Sequence, residues 1–277
     1  MEHRRGGRMT LNGIDVSDWQ QDIDLSKVSA DFVIVKMTQG VDYLSPVRTS
    51  QYTSAKKAKK LLGVYHYADG SGAEAEAKYF LDNVKNYVGE AVLALDWEGA
   101  VVAKGVSYAK AWLDYVYKQT KVKPLIYMSK SVTNAYDWST VSKDYGLWCA
   151  QYASEESTGY QEDPWTDNTV FGSWTTPTIY QYSSHGNLPG YNGSLDLNKF
   201  YGGKDDWAKL AKTGDIVPTT ITPIIQYSDD KGQRAYAYTH WQAVAGKPEL
   251  NILESPNGTK FELRVDNNGK LTAVKKE

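Results

Sequence analysis

Short apolar runs alternate with stretches of helical periodicity from Leu11 to Phe200. The runs Asn12–Val16, Phe32–Met37, Gly63–Tyr67, Val92–Asp96, Pro124–Met128, Gly146–Gln151, Thr178–Tyr182 and Leu195–Phe200 all have strand length, and polar residues follow them. A continuous apolar stretch such as Val92–Leu95 suits a strand covered on both faces of a parallel sheet. Between the runs, Ala73, Ala77, Phe80, Leu81 and Val84 fall on one helical face. Ala109, Trp112, Leu113, Val116 and Tyr117 fall on another. A third, more basic helix runs on from Gln51 through Lys56 to Leu62. This alternation predicts an α/β fold, a TIM-like (β/α)8 barrel over residues 11–213. The gaps Ala153–Pro177 and Ser183–Ser194 are rich in loop-forming residues, so the barrel is expected to be irregular in its second half.

From Gly214 the texture changes. The segment GDIVPTTITP reads as a semi-rigid linker over residues 214–223. Beyond it the runs Ile224–Tyr227, Arg234–Trp241, Leu250–Leu253, Phe261–Val265 and Leu271–Val274 are short and β-rich. Asn257-Gly258 and Asn268-Gly269 separate the last three, a strong hairpin signal. Residues 224–277 are therefore expected to form a small all-β module. Tyr236, Tyr238 and Trp241 are its exposed-looking aromatics and its candidates for contact with a ligand.

Composition narrows the function. A net charge of −2 argues against nucleic-acid binding by bulk electrostatics. No apolar stretch approaches the roughly 18 residues of a membrane span, so membrane insertion is not expected. The start, MEHRRGGRMT, is charged with no apolar region after it; it reads as an extension outside the fold, not as a secretory signal. The lone Cys149 has no disulfide partner, and its apolar setting reads as an inert buried thiol. Four histidines (His3, His66, His185 and His240) fall in no zinc-binding spacing, so neither metal nor other cofactor is expected. The 21 Tyr and 9 Trp greatly outnumber the 5 Phe. Aromatics with a polar handle suit a wet cleft that stacks sugar rings.

The candidate chemistry sits where the strands end, since a barrel of this kind carries its active site at the C-terminal end of the strands. In VLALDWEG, Asp96 and Glu98 stand two residues apart, so both point into one space while Trp97 turns away. The other ends supply Asp15 and Asp18, Lys36 and Gln39, Tyr65 and His66, and Tyr127 and Ser129. They continue with Trp148 and Gln151, Gln181 and Tyr182, and Asp196 and Asn198. Acids, amides and aromatics dominate, which matches glycoside hydrolysis. His66, between two tyrosines in an apolar strand, reads as a structural hydrogen-bonding group rather than a catalyst.

Four motifs make the inventory specific. G-I-D-V-S-x-x-Q at Gly13–Gln20, G-x-Y-H-Y at Gly63–Tyr67, L-D-W-E at Leu95–Glu98 and L-D-L-N at Leu195–Asn198 resemble glycoside hydrolase family 25, the lysozymes or N-acetylmuramidases of bacteria, fungi and phages. The resemblance runs over roughly Leu11–Trp207. It implies cleavage of the β-1,4 bond from N-acetylmuramic acid to N-acetylglucosamine in bacterial peptidoglycan, with Glu98 as general acid. It places Asp15, Asp96 and Asp196 around the reacting sugar. Tyr65, Lys36, Tyr127, Trp148, Gln181, Tyr182 and Asn198 are the candidates for substrate binding. Gln39 departs from the family, which often has Glu there.

Two residues along a strand span about 6.6 Å, longer than the ~5–5.5 Å of a direct nucleophile pair. Side-chain rotation blurs that spacing, but the substrate's N-acetyl group offers an internal nucleophile that Asp96 can orient and stabilise, so substrate assistance with retention is preferred to an inverting mechanism. A chitinase-like enzyme would want the earlier aspartates of DxxDxDxE, which VLALDWEG lacks. A non-catalytic wall-carbohydrate-binding protein is the alternative from another class, and a zinc amidase is disfavoured by the shortage of ligands. The chain resembles a phage or prophage endolysin, made in the cytoplasm and released to the wall, with a secreted autolysin as the alternative. A monomer is expected.

Overall fold

The computed structural model describes residues 9–167 and 169–212, and the backbone of five short strands between residues 226 and 275. The described part of the first unit holds nine strands: β1 (Leu11–Val16), β2 (Phe32–Gln39), β3 (Tyr43–Leu44), β4 (Leu61–Tyr67), β5 (Val92–Asp96), β6 (Leu125–Ser129), β7 (Leu147–Ala150), β8 (Ile179–Gly186) and β9 (Leu195–Phe200). Its helices are α1 (Arg48–Lys57), α2 (Ala73–Val84), α3 (Val106–Thr120), α4 (Lys130–Ala135), α5 (Ser139–Ser142) and α6 (Lys204–Ala211). Pairing in the order β1-β2-β4-β5-β6-β7-β8-β9, with β9 returning to β1, closes an eight-stranded barrel. β3 folds back on β2 as a short antiparallel edge.

Seven barrel strands run parallel, from β1 to β8. β9 runs antiparallel to both its neighbours. A regular (β/α)8 alternation would have made it parallel. Its connection, residues 187–194, is shorter than the crossover of about a dozen residues that a parallel return requires, so β8 and β9 form a hairpin. No helix lies among the described residues between β7 and β8, as the composition of Ala153–Pro177 predicts. The basic helix is shorter than its periodicity implies. α1 ends at Lys57, Lys59 takes a left-handed conformation at φ 59°, and Leu61-Leu62 already belong to β4.

The period of two along each strand sorts side chains into two cores. Phe32, Ile34, Val92, Ala94, Leu125 and Ile179 fill the barrel. Val33, Val35, Leu93, Leu95, Ile126 and Met128 face outward against Phe80, Trp112, Leu113 and Val116 of α2 and α3. Trp207 of α6 is buried against the rings of Phe32 (4.4 Å) and Phe200 (5.3 Å), and its indole N–H donates to the Leu62 carbonyl at 3.1 Å. β5 shows the consequence for the site. With Leu93 and Leu95 outside and Val92 and Ala94 inside, Asp96 must point inward, while Trp97 joins the outer core against Tyr108. His66 also faces outward. Its Nδ1 lies 2.7 Å from Thr38 Oγ1 and its Nε2 3.0 Å from the buried Glu76 carboxylate, with its ring stacked on Trp112.

The second unit, Thr220–Glu277, shows two antiparallel groups: β10 (Gln226–Ser228) with β11 (Arg234–Tyr236), and β12 (Ile252–Glu254), β13 (Lys260–Val265) and β14 (Leu271–Lys275) in one sheet. The pairs Glu254↔Lys260 and Val265↔Leu271 bracket the two Asn-Gly dipeptides. Those dipeptides, the linker at 214–223, and Tyr238 and Trp241 lie outside the described residues, as does the side chain of Tyr236. Among the described residues no helix is long and apolar enough to cross a membrane.

Candidate active site

A cleft of about 290 Å³ opens at the end of the barrel where the parallel strands finish. Of the expected residues, Asp15, Lys36, Tyr65, Asp96, Glu98, Tyr127, Trp148, Gln181 and Asp196 line it together. Asp196 arrives by a different route from the others. It is the second residue of the antiparallel β9 and pairs in register with Asp15 of β1. A parallel strand would have carried the same residue to the opposite end of the barrel.

Two expected substrate-binding residues are not in the cleft lining. Tyr182 neighbours the inward Gln181, so the alternation turns it into the outer core, where its hydroxyl accepts a hydrogen bond from the Gln161 amide at 3.2 Å. Asn198 lies one layer below the surface of the cleft. It is fully buried and touches Asp15 rather than open space.

Four lining residues escaped the sequence reading: Ser17, Trp19, Tyr67 and Tyr152. Trp19 stands in a short 3-10 turn, Asp18–Gln20, and is 88% exposed at the rim. The turn is well fixed. Ser17 Oγ accepts from the Trp19 amide, Gln20 Oε1 accepts from the Ser17 amide, and Gln51 Nε2 donates to the Ser17 carbonyl at 2.8 Å. Tyr67 was legible, because it stands two residues from Tyr65 and so shares its face.

The carboxylates crowd one another. Burial, above all, pushes the Asp96 carboxyl well above the usual range, and the Glu98 charge adds to this. Glu98 is half-buried and is raised by burial. Lys36 is the cation that pulls both back down. Its Nζ donates to Gln39 Oε1 at 2.9 Å and lies 4.9 Å from the centre of the Tyr67 ring. Asp15 rises to about 6, through burial opposed by hydrogen bonds from Gln181 and Asn198.

One atom stands out. Asp96 Oδ1 is buried and has no hydrogen-bond partner. Such a group is costly to hold as a charge, which agrees with the upward push on this carboxyl; the Asp96 side chain as a whole lines the cleft. Among the described residues no group of three His, Cys, Asp or Glu side chains is placed to hold a metal ion. The arrangement sets two raised carboxyls side by side in a cleft walled by aromatic rings. Two such carboxyls beside a bound sugar are the usual equipment of glycoside hydrolysis.

Comparison with known proteins points the same way. The sequence profile of Glycosyl hydrolases family 25 matches residues 14–191. The uncharacterized protein YegX of Escherichia coli O157:H7 is 31% identical over 209 residues, covering 71% of this chain and 72% of that protein. A lysozyme of Lactococcus phage mv1 is 34% identical over 158 residues, covering 50% of this chain and 78% of the phage protein. Among solved structures, the bacterial lysozyme of Streptomyces coelicolor superposes with a TM-score of 0.63 at 26% identity, over 74% of this chain and 98% of its own.

Proposed function

The chain belongs to glycosyl hydrolase family 25, and from that premise we propose that it is a lysozyme hydrolysing the β-1,4 bond between N-acetylmuramic acid and N-acetylglucosamine in bacterial peptidoglycan. The observation that carries this reading is the meeting of Glu98 and Asp96, two carboxyls both raised by burial, in one cleft walled by aromatic rings. Glu98, half-buried and raised, donates its proton to the glycosidic oxygen. The substrate's acetamido oxygen attacks the anomeric carbon while its N–H donates to Asp96, which faces the positive charge that develops. That same N–H favours the ionised form of Asp96, so a proton shared by the two acids moves toward Glu98, where it is needed. Water then opens the cyclic intermediate, with Glu98 taking back a proton. Mass spectrometry of digested peptidoglycan tests the substrate. New reducing ends on muramic acid are expected; new reducing ends on glucosamine, or freed peptide alone, contradict it.

Lys36 makes the proton inventory measurable. It holds the Asp96 and Glu98 carboxyls down, so removing its charge raises both. In Lys36→Met the alkaline limb of the kcat/KM profile is expected to move up by roughly one pH unit. A limb that stays in place or moves down contradicts the assignment.

Two further parts of the proposal concern biology. The likeness to a phage lysozyme supports an endolysin, made in the cytoplasm and delivered to the wall. The β-rich Thr220–Glu277 unit is proposed to hold the enzyme on the wall, raising its local concentration without touching the chemistry. A chain ending at Asp215 should then turn over soluble fragments normally but lyse intact cells more slowly. Equal lysis of intact cells, with no sedimentation of the isolated tail with walls, contradicts the binding role.

A further inference from the structure

We propose that Asp15 and Asp196 carry one proton between them, and that the side-chain amides of Gln181 and Asn198 assign it: Asp15 is the anion, and Asp196 is a neutral acid that offers its O–H to an oxygen of the substrate. This builds on the lysozyme reading, but its physical core concerns the free protein. The two acids stand directly opposite each other on antiparallel strands. Like charges in that position repel at close range, and the Asp15 side of the pair is buried.

The hydrogen bonds break the symmetry. Asp15 Oδ2 accepts two N–H groups, from Gln181 Nε2 at 2.9 Å and Asn198 Nδ2 at 2.6 Å. Neither amide can turn round without loss. Trp148 donates its indole N–H to Asn198 Oδ1 at 2.8 Å, and an indole has no acceptor to offer in return. Gln181 Oε1 is taken by the hydroxyls of Tyr127 (2.9 Å) and Tyr152 (2.6 Å). Both NH2 groups are thereby aimed at Asp15, and two donors on one oxygen favour the carboxylate. Asp196 has no such support. Among the described residues no group donates to its side chain.

Burial and then the Asp15 charge push Asp196 up to about 9, while the two amides restrain Asp15 to about 6. The other groups facing the pair act in the same sense on both acids: Glu98 from the end of β5 raises each of them, and Asp96 is itself raised by both. Tyr65 and Tyr152 stay protonated. Lys36 acts on Asp96 and Glu98 rather than on this pair.

The test is a titration of the full chain, without substrate, by 13C NMR of aspartate side-chain carboxyls, assigned with the variants Asp15→Asn and Asp196→Asn. Asp15 is expected to lose its proton first and Asp196 well above it. Gln181→Met removes one donor and should raise the Asp15 midpoint by about one unit or more while lowering that of Asp196. Asp196 ionising below Asp15 in the wild type overturns the proposal. So do unmoved midpoints in a folded Gln181→Met. Turnover adds a second readout: Asp196→Asn keeps an N–H donor and should exceed Asp196→Ala in kcat by about tenfold or more. Equal losses overturn the donor role, and because the titration needs no substrate, its result stands apart from any failure of the lysozyme reading.

Discussion

Glu98→Gln is expected to abolish wall lysis, lowering kcat by about 10²–10⁴-fold, the usual worth of a positioned general acid. The amide has the shape of the acid but no proton to give. The fold should not suffer. Burial raises the Glu98 carboxyl in the folded chain, so its charged form is a cost to the native state at neutral pH. An uncharged amide relieves that cost, and the melting temperature at pH 7 should be unchanged or higher. Lysis within about threefold of wild type by a folded variant contradicts the general-acid role.

Asp96→Asn is expected to cost at least about 10²-fold in kcat, because charge aimed at a developing cation is a large term in a desolvated site. Here the change in stability has a defined direction. The folded-state value lies well above the ordinary 3.8. The native state is therefore penalised once pH rises above the unfolded value, and fully so above the folded one. Asparagine carries no such penalty. Its gain in melting temperature should be largest at neutral to alkaline pH and vanish below about pH 4. A loss of stability at pH 7 would mean that Asp96 is a supported anion in the free protein. Azide separates the two chemical roles. If it rescued the variant with a glycosyl azide of inverted configuration, Asp96 would be a covalent nucleophile.

Most of the barrel was legible because its strands obey simple rules. Val92–Asp96 and Leu195–Phe200 have the limits their apolar runs imply, and Ala73–Val84 matches its helical face. The same period of two that placed Asp96 and Glu98 together also separates Gln181 from Tyr182. Neighbours on a strand cannot both face a cleft, so that pair of expectations was inconsistent from the outset. The direction of β9 turned on where β8 ends: its apolar run stops at Tyr182, but the strand continues to Gly186, which shortens the connection to residues 187–194. Trp19 and Tyr152 stand just beyond strands, in a turn and at the start of a loop, where periodicity no longer says which way a side chain points. Asn198 carries a different lesson. An amide two residues from a cleft carboxyl looks like a sugar ligand, but a buried carboxylate has its own need for donors, and the Asp15 side chain fills that need from within the protein.

The most direct test of the account is proton NMR of the first product released by the wild-type enzyme from a peptidoglycan fragment, recorded before the sugar mutarotates. Attack by the substrate's own acetamido group, then by water, inverts the anomeric carbon twice. The account predicts a new reducing N-acetylmuramic acid that appears first as the β-anomer. An α-anomer appearing first, or a new reducing end on N-acetylglucosamine, would contradict it.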